Sequence, residues 1–166
     1  MDILVHPNPA LKSACSPVDP TTDRDLARLV KVMGERMHEA PGVGLAAPQI
    51  GVLKRVIVWD TDEDRDSLHA LCNPRLVETS DERQIFDEGC LSVPGISIPI
   101  ERCSRVVVEG ELITGETVRI EGEELLARIF QHECDHLDGI IILDRAEPEV
   151  RLAAIRRYAR GERDDD

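Results

Sequence analysis

The most informative segment of the chain is EELLARIFQHECDHLDG, residues 123–139. Its apolar residues recur with the period of an amphipathic helix, and Gly139 stands where a helix commonly ends. The segment therefore predicts a helix from Glu123 to about Leu137. We expect this helix to carry the chemistry of the protein.

The pattern HExxH lies inside this predicted helix. His132 and His136 are one turn apart on the same face, where both imidazoles can reach one metal ion. Glu133 lies beside that face, as a general base must if it is to reach a metal-bound water without binding the metal. The competing interpretation of so short a match is an amphipathic helix whose histidines are ordinary polar residues.

A third ligand must come from elsewhere, because a catalytic site of the zinc type uses three protein ligands and keeps one open position. No histidine follows His136. Cys90 is the better candidate, since Gly89 lets the backbone approach closely and a thiolate is a good ligand. Taken alone, Cys90 is equally compatible with a buried, inert thiol. One thiolate with two imidazoles suits Fe(II), Zn(II), Co(II) or Ni(II).

The remaining pattern predicts one further helix on either side of a strand-rich middle. The first helix is expected from Thr22 to about Ala40, and the last from Pro148 to Ala159. The predicted strands are residues 56–59, 68–72, 83–86, 106–113, 118–120 and 140–143. Residues 42–51 are expected to form an irregular wall of backbone, and residues 60–66 a solvated turn. Strands and helices are segregated, which favours an α+β fold.

Length and composition bound the class of protein. The 166 residues predict one domain, 1–166, with a frayed acidic tail over 161–166. The net charge of -13 argues against binding to DNA or to anionic membranes. Without a signal-like segment or a long apolar run, the chain is expected to be cytoplasmic, and its odd set of five cysteines suits a reducing compartment. It is also expected to be a monomer.

Three separated blocks together resemble the peptide deformylases. They are GVGLAAPQ at 42–49, EGCLS at 88–92 and QHECDHLDG at 131–139. The similarity runs from Pro7 to the last helix and so covers nearly the whole chain. It implies a hydrolase that removes the N-terminal formyl group from formyl-methionine of new polypeptides and releases formate. It also implies an α+β fold in which antiparallel sheets surround a central HExxH helix, with Fe(II) as the most frequent native metal.

The resemblance also assigns roles to residues. The implied metal ligands are Cys90, His132 and His136. Glu133 would move the proton from the metal-bound water to the departing amine. The side-chain amide of Gln49 and the backbone N–H of Leu91 would meet the developing oxyanion.

Further residues are expected around this centre. A peptide would add as a strand beside Gly44 and Gly95, although both glycines are also compatible with simple turns. The candidates for the methionine slot are Val43, Phe86, Leu125 and Ile129, of which Leu125 and Ile129 are equally compatible with core packing. The residues expected to orient the ligands are Glu88, Arg102, Gln131 and Asp135, with Glu88 and Arg102 as a buried ion pair.

A different class of function remains open from the sequence. The chain would then be an inactive or repurposed homologue that acts as a ribosome-associated binding module. Arginines in the last helix support ribosome docking, whereas the acidic final residues oppose it.

Overall fold

The computed structural model describes residues 1–164 and has the predicted α+β fold. The helices are α1 (Leu26–Glu39), α2 (Glu124–Leu137), α3 (Ile142–Arg145) and α4 (Pro148–Ala159). The strands are β1 (Gly44–Ala46), β2 (Val56–Trp59), β3 (His69–Thr79), β4 (Arg83–Cys90), β5 (Val93–Cys103), β6 (Arg105–Glu111) and β7 (Thr117–Glu123). Within the described residues, every helix is too short or too polar to span a membrane.

Helix α2 packs against a five-stranded antiparallel sheet with strand order β1-β2-β3-β6-β7. Phe130, on the sheet side of the helix, is fully buried, and its ring meets Trp59 of β2 edge-on at 5.0 Å between centroids. The predicted end of the helix is confirmed, because Gly139 adopts a left-handed φ of 74° just beyond it. The sheet therefore fixes one side of α2 and leaves the opposite side for the site.

The second sheet is the β4–β5 hairpin, which brings Cys90 to α2. Alternate residues of β5 (Ile96, Ile98 and Ile100) are buried with Leu143 of α3 and Ala154 of α4. This small core holds the hairpin against the C-terminal helices. The sequence prediction missed β5, the second halves of β3 and β4, and the short strand β1 within the segment 42–51 that was expected to be irregular.

Two predicted elements differ in the structure. Helix α1 begins at Leu26 rather than Thr22, because the Asp19 carboxylate accepts hydrogen bonds from Thr21 and its carbonyl accepts from Thr22, which closes a turn instead. The predicted strand 140–143 is wrong, since Ile142 begins the one-turn helix α3. Strand β2, the β6–β7 hairpin and α4 are confirmed as predicted elements.

The predicted solvated turn 60–66 contains one buried carboxylate. Asp60 is 0% exposed. Its carboxylate accepts a hydrogen bond from the Asp62 N–H in the same turn and another from His38, with 2.9 Å between Asp60 Oδ2 and His38 Nε2. The Asp60 N–H donates to the carbonyl of Val43 at 3.0 Å. Asp60 therefore fixes the segment that leads into β1.

The acidic tail makes contacts as far as Asp164. The Asp164 N–H donates to the carbonyl of Gly95 at 2.8 Å, and the N–H of Ser97 donates to the Asp164 carboxylate. The outer edge of β5 is therefore paired with the tail at this point. The last two residues of the predicted frayed tail, 165–166, lie outside the described residues.

Candidate metal centre

Three side chains from two elements converge on one point. Cys90 ends β4, whereas His132 and His136 lie one turn apart on α2. His136 Nε2 is 3.4 Å from Cys90 Sγ and 3.1 Å from His132 Nε2. The three ligand atoms all lie within 4.8 Å of one another. The structure thus brings together the three residues that the sequence predicts as ligands.

The chemistry of this group fits a divalent transition metal. Burial, followed by the neighbouring His132, holds the pKa of His136 well below its usual value, so its imidazole is neutral and keeps a lone pair. His136 Nδ1 is buried and has no hydrogen-bond partner among the described residues. Two imidazole nitrogens and a sulfur that face one centre are the donors of iron, zinc, cobalt or nickel rather than of calcium or magnesium.

Glu88 orients the first of the two histidines. Its carboxylate bonds to His132 Nδ1 and receives two hydrogen bonds from Arg102, at 2.8 and 3.1 Å. Burial opposes ionisation of Glu88, but His132 and Arg102 outweigh it and lower the pKa of Glu88 to about 2. The predicted buried ion pair is present, and it turns the Nε2 of His132 toward Cys90 and His136.

Asp135 and Gln131 were expected to orient the ligands, but neither touches one in the structure. Asp135 accepts from Arg102 at 2.6 Å and from Arg145 at 2.7 Å, so it acts on Glu88 only through Arg102. Gln131 bonds to the backbone of Cys103 in both directions at 2.9 Å. The amide side chain of Gln131 matches a peptide group, so it ties α2 to the end of β5 instead.

Glu133 lies between the metal position and β1. Burial raises the pKa of Glu133 to about 7, against the lowering effect of His132. Its Oε2 is buried without a hydrogen-bond partner among the described residues. Gly44 makes this position accessible, because a Cβ at residue 44 would lie 2.8 Å from Glu133 Oε1. The carboxyl group is thus held near neutral pKa and faces the cleft.

Gln49 reaches the centre from the other side. Its Oε1 accepts from the Ala46 N–H at 2.9 Å, which turns Nε2 toward Ser92 Oγ at 3.1 Å and Cys90 Sγ at 3.7 Å. The N-terminal arm holds the backbone of both Gln49 and Ser92. The N–H of Leu4 donates to the carbonyl of Gln49, and the N–H of His6 donates to the carbonyl of Ser92, each at 2.7 Å. The side chain of Gln49 is therefore fixed beside the ligand sulfur.

A cavity of about 810 Å³ opens over the centre. Of the predicted site residues, those that line it are Val43, Gly44, Gln49, Glu88, Cys90, Leu91, Gly95, Leu125, Ile129, His132 and Glu133. Phe86 is not part of the lining, because the guanidinium of Arg128 lies over its ring, 4.2 Å from the centroid. Arg128 takes that place in the cavity wall. The sequence interpretation missed Arg128, although its position four residues before His132 places it on the ligand face.

Two strand edges border the cavity. The N–H of Ser97 points to Asp164, away from β4, and Pro99 has no N–H to give. Their partners across the hairpin, Gly89 and Asp87, therefore stand in non-hydrogen-bonded pairs, and their backbone groups point outward. That edge of β4 lines the cavity opposite Gly44 of β1.

Comparisons with known proteins agree with this geometry. A family model described as polypeptide deformylase matches residues 1–152. The peptide deformylase of Acidothermus cellulolyticus is 49% identical over 149 residues, which cover 89% of this chain and 81% of the relative. The peptide deformylase of Hydrogenovibrio crunogenus is 40% identical over 158 residues, 95% of this chain and 92% of the relative.

Solved structures give the same result. The crystal structure of a peptide deformylase from Legionella pneumophila matches with a TM-score of 0.90 and 38% identity, covering 96% of this chain and 94% of that one. A peptide deformylase from Synechococcus elongatus, solved in complex with actinonin, matches with a TM-score of 0.90 and 33% identity, covering 99% and 90%. With the family model, the sequence relatives and the fold in agreement, the chain belongs to the polypeptide deformylase family.

Proposed function

We propose that this enzyme removes the N-terminal formyl group from formyl-methionine of newly made polypeptides, with Fe(II) as its native metal. The observation that carries the proposal is the convergence of Cys90, His132 and His136 on one point, with Glu133 nearby in the cavity wall. In the reaction, water adds its hydroxyl to the formyl carbon and the carbon–nitrogen bond breaks. The nitrogen takes up a proton, and the products are formate and a free amine.

Cys90, His132 and His136 would hold the metal. When bound, the metal supplies Lewis acidity, which lowers the pKa of a coordinated water and polarises the formyl oxygen. A single cysteine sulfur with two imidazole nitrogens gives a softer donor set than two imidazoles with a carboxylate, which supports Fe(II) while Zn(II), Ni(II) and Co(II) also fit.

Glu133 is the proton carrier in this proposal. In the metal-free protein burial raises the pKa of Glu133 to about 7, which brings this carboxyl group into the range in which it can both accept a proton from water and return it. Its Oε2 is buried without a hydrogen-bond partner among the described residues, so a lone pair on this oxygen is free to accept a proton. The same carboxyl group would then deliver the proton to the departing amine nitrogen.

Gln49 and Leu91 would stabilise the negative charge that develops on the formyl oxygen. The hydrogen bond that Gln49 Oε1 accepts from the Ala46 N–H holds Nε2 3.7 Å from Cys90 Sγ, so this donor group already lies beside the metal position. Leu91 directly follows the ligand Cys90 in the cavity wall, which brings its backbone N–H to the same end of the cleft.

The peptide would bind as an added strand between β1 and the outer edge of β4. Gly44 lies on one side, and the outward backbone groups of Gly89 lie on the other. Gly95 contacts the bound peptide less directly than the sequence suggests, because its carbonyl already accepts a hydrogen bond from the Asp164 N–H. The methionine side chain would then lie against Val43, Leu125 and Ile129.

Substitution of Glu133 tests the reaction. We expect Glu133→Gln to keep one metal per chain while formate release from formyl-Met-Ala-Ser falls by roughly 100-fold or more. Metal content is measured on the same anaerobically prepared samples. Full turnover in Glu133→Gln would contradict the role of Glu133, whereas peptide binding without any turnover by the unaltered enzyme would favour an inactive binding module.

We further propose a cytoplasmic monomer whose α4 contacts the ribosome. Arg151, Arg156 and Arg160 are exposed on or just after this helix, and Arg151 and Arg160 also lie 3.6 and 2.6 Å from the carboxylates of Asp144 and Glu162. Replacing all three with Glu preserves Ala154 and Tyr158, which anchor α4, and is expected to abolish cosedimentation with ribosomes at low salt. Unchanged cosedimentation would rule out this contact, and sedimentation velocity measures the oligomeric state.

A further inference from the structure

Arg128 is a cavity residue that the proposed reaction does not use. On α2, His132 faces Glu88 of β4, and Arg128, one turn earlier, faces Phe86 of the same strand. Ile129 and Glu133 form the neighbouring row, which faces Gly44 of β1. The cavity floor therefore has two rows of side chains, and Arg128 lies in the row of the metal ligand.

The guanidinium of Arg128 is held in place but not neutralised. Its carbon lies 4.2 Å from the centroid of the Phe86 ring, a cation–π contact that fixes the arm. Within the described residues, no carboxylate lies within 4.0 Å of it, and its Nε is buried without a hydrogen-bond partner. A partly buried cation with free donors therefore stands beside Ile129 in the cavity wall.

The distance from the metal position matches a methionine side chain. One turn of helix separates Arg128 from His132, which is about 5.4 Å along the axis. A peptide whose formyl group lies at the ligands would send its first side chain over the floor between Leu125 and Ile129. The tip of that side chain would then reach the level of Arg128.

We propose that Arg128 is a specificity-determining residue that lets this slot accept oxidised N-terminal formyl-methionine, through a hydrogen bond from the guanidinium to the sulfoxide oxygen. The proposal rests on the deformylase function proposed above. Oxidation turns the thioether into a polar acceptor, which a wholly apolar slot would bind poorly because the oxygen would lose its hydrogen bonds to water. Arg128 supplies a buried Nε donor that has no acceptor among residues 1–164.

The test compares three substrates on the metal-loaded enzyme. They are formyl-Met-Ala-Ser, its methionine sulfoxide form and its norleucine form, which has similar length but no strong acceptor. The variants are Arg128→Leu, Arg128→Lys and, as a matched control on another helix surface, Arg28→Leu. We expect Arg128→Leu to lower the ratio of kcat/KM for sulfoxide over norleucine roughly tenfold, mainly through KM.

The other variants sharpen the interpretation. Arg128→Lys keeps a cationic donor and should retain more of the ratio than Arg128→Leu, and Arg28→Leu should leave it unchanged. A ratio that Arg128→Leu does not alter, or an equal loss for all three substrates, would overturn the proposal, because either result means that Arg128 only packs.

Calorimetry separates this inference from the proposed function. The product peptides with methionine sulfoxide or norleucine in first place are titrated into the same proteins, and the sulfoxide preference should again fall in Arg128→Leu. If the unaltered enzyme released no formate from any substrate, the proposed function would fail. The calorimetric preference would still decide the role of Arg128.

Discussion

Cys90 differs from the other cysteines in its surroundings. It is partly exposed, whereas Cys15, Cys72, Cys103 and Cys134 are buried. Burial raises the pKa of the Cys72 thiol to about 11 and that of Cys134 to about 12. The fold therefore keeps one sulfur accessible and suppresses the reactivity of the others.

Alkylation should show this difference directly. We expect iodoacetamide to modify Cys90 first in the metal-free protein, and bound metal to slow that reaction. Peptide mass spectrometry after timed exposure gives the rate at each position. Equal rates at Cys90 and Cys134 would contradict the prediction, and Cys90→Ser provides the control that removes the fast site.

Glu88 should make stability depend on pH in the metal-free protein. Its pKa is depressed from 4.5 to about 2, so its contribution is fully present above pH 4.5 and is lost as pH falls toward 2. Glu88→Gln is expected to lower the free energy of unfolding at neutral pH by on the order of 3 kcal/mol. Urea titrations should show this deficit shrinking below pH 4.5.

Asp87 offers the matched control for that series, because it is the exposed neighbour of Glu88 on the same strand. Asp87→Asn should give no deficit that follows the same pH course. A Glu88→Gln deficit that stays constant from neutral pH to pH 3 would mean that side-chain packing, not the charge of Glu88, supports the site.

At the scale of elements, β1 limits the space available to the carboxyl group of Glu133. Gly44→Ala would place its Cβ 2.8 Å from Glu133 Oε1 and 3.1 Å from Ile129 Cγ2. We expect kcat/KM for formyl-Met-Ala-Ser to fall by on the order of 10-fold to 100-fold, because Glu133 must move. Metal content should be unchanged. Wild-type kinetics in Gly44→Ala would show that Glu133 does not need this close approach.

Helix α2 was predictable because its amphipathic period, its HExxH pattern and its terminal Gly139 all agree. Strand β5 was not, because Pro94, Gly95 and Pro99 interrupt it, although isoleucine at alternate positions 96–100 carried a strand signal. Pro99 fits only because it stands at a position whose N–H points away from β4. The direction of the backbone at residue 99 depends on how β5 pairs with β4, and the local sequence does not specify that pairing.

The residues around the metal centre and the turn beside it also include some that the sequence predicts and some that it does not. The ligands and Glu133 were predictable because their residue types and spacing define the chemistry. Asp60 and Arg128 were missed, since a charged residue in a turn or on a helix is usually solvated. Only the folded structure brings Asp60 to Val43 and His38, and Arg128 to the ring of Phe86.

At the scale of the whole molecule, the core does not depend on the metal. Three buried apolar clusters, one on each side of the large sheet and one beneath β5, hold the described residues together. The ligands contribute little to these clusters. We therefore expect the described residues to remain folded when the metal is removed.

Metal removal should lower the unfolding temperature without changing secondary structure. Binding adds about 2.7 kcal/mol when free metal is at 100 times its Kd. For a chain of this size that corresponds to about 5–10 °C, measured by calorimetry with metal or with chelator. Far-ultraviolet circular dichroism should be the same in both samples. Collapse of the helical signal on chelation would show that the metal is needed to fold α2.

Trp59 gives the molecule an internal reporter. It is the only tryptophan, and it stands at the seam where β2 meets Phe130 of α2. Light emitted on excitation at about 295 nm therefore comes from that seam alone, because indole is the only side chain that absorbs there. Detachment of the catalytic helix from the large sheet can thus be followed in real time, without attaching any dye.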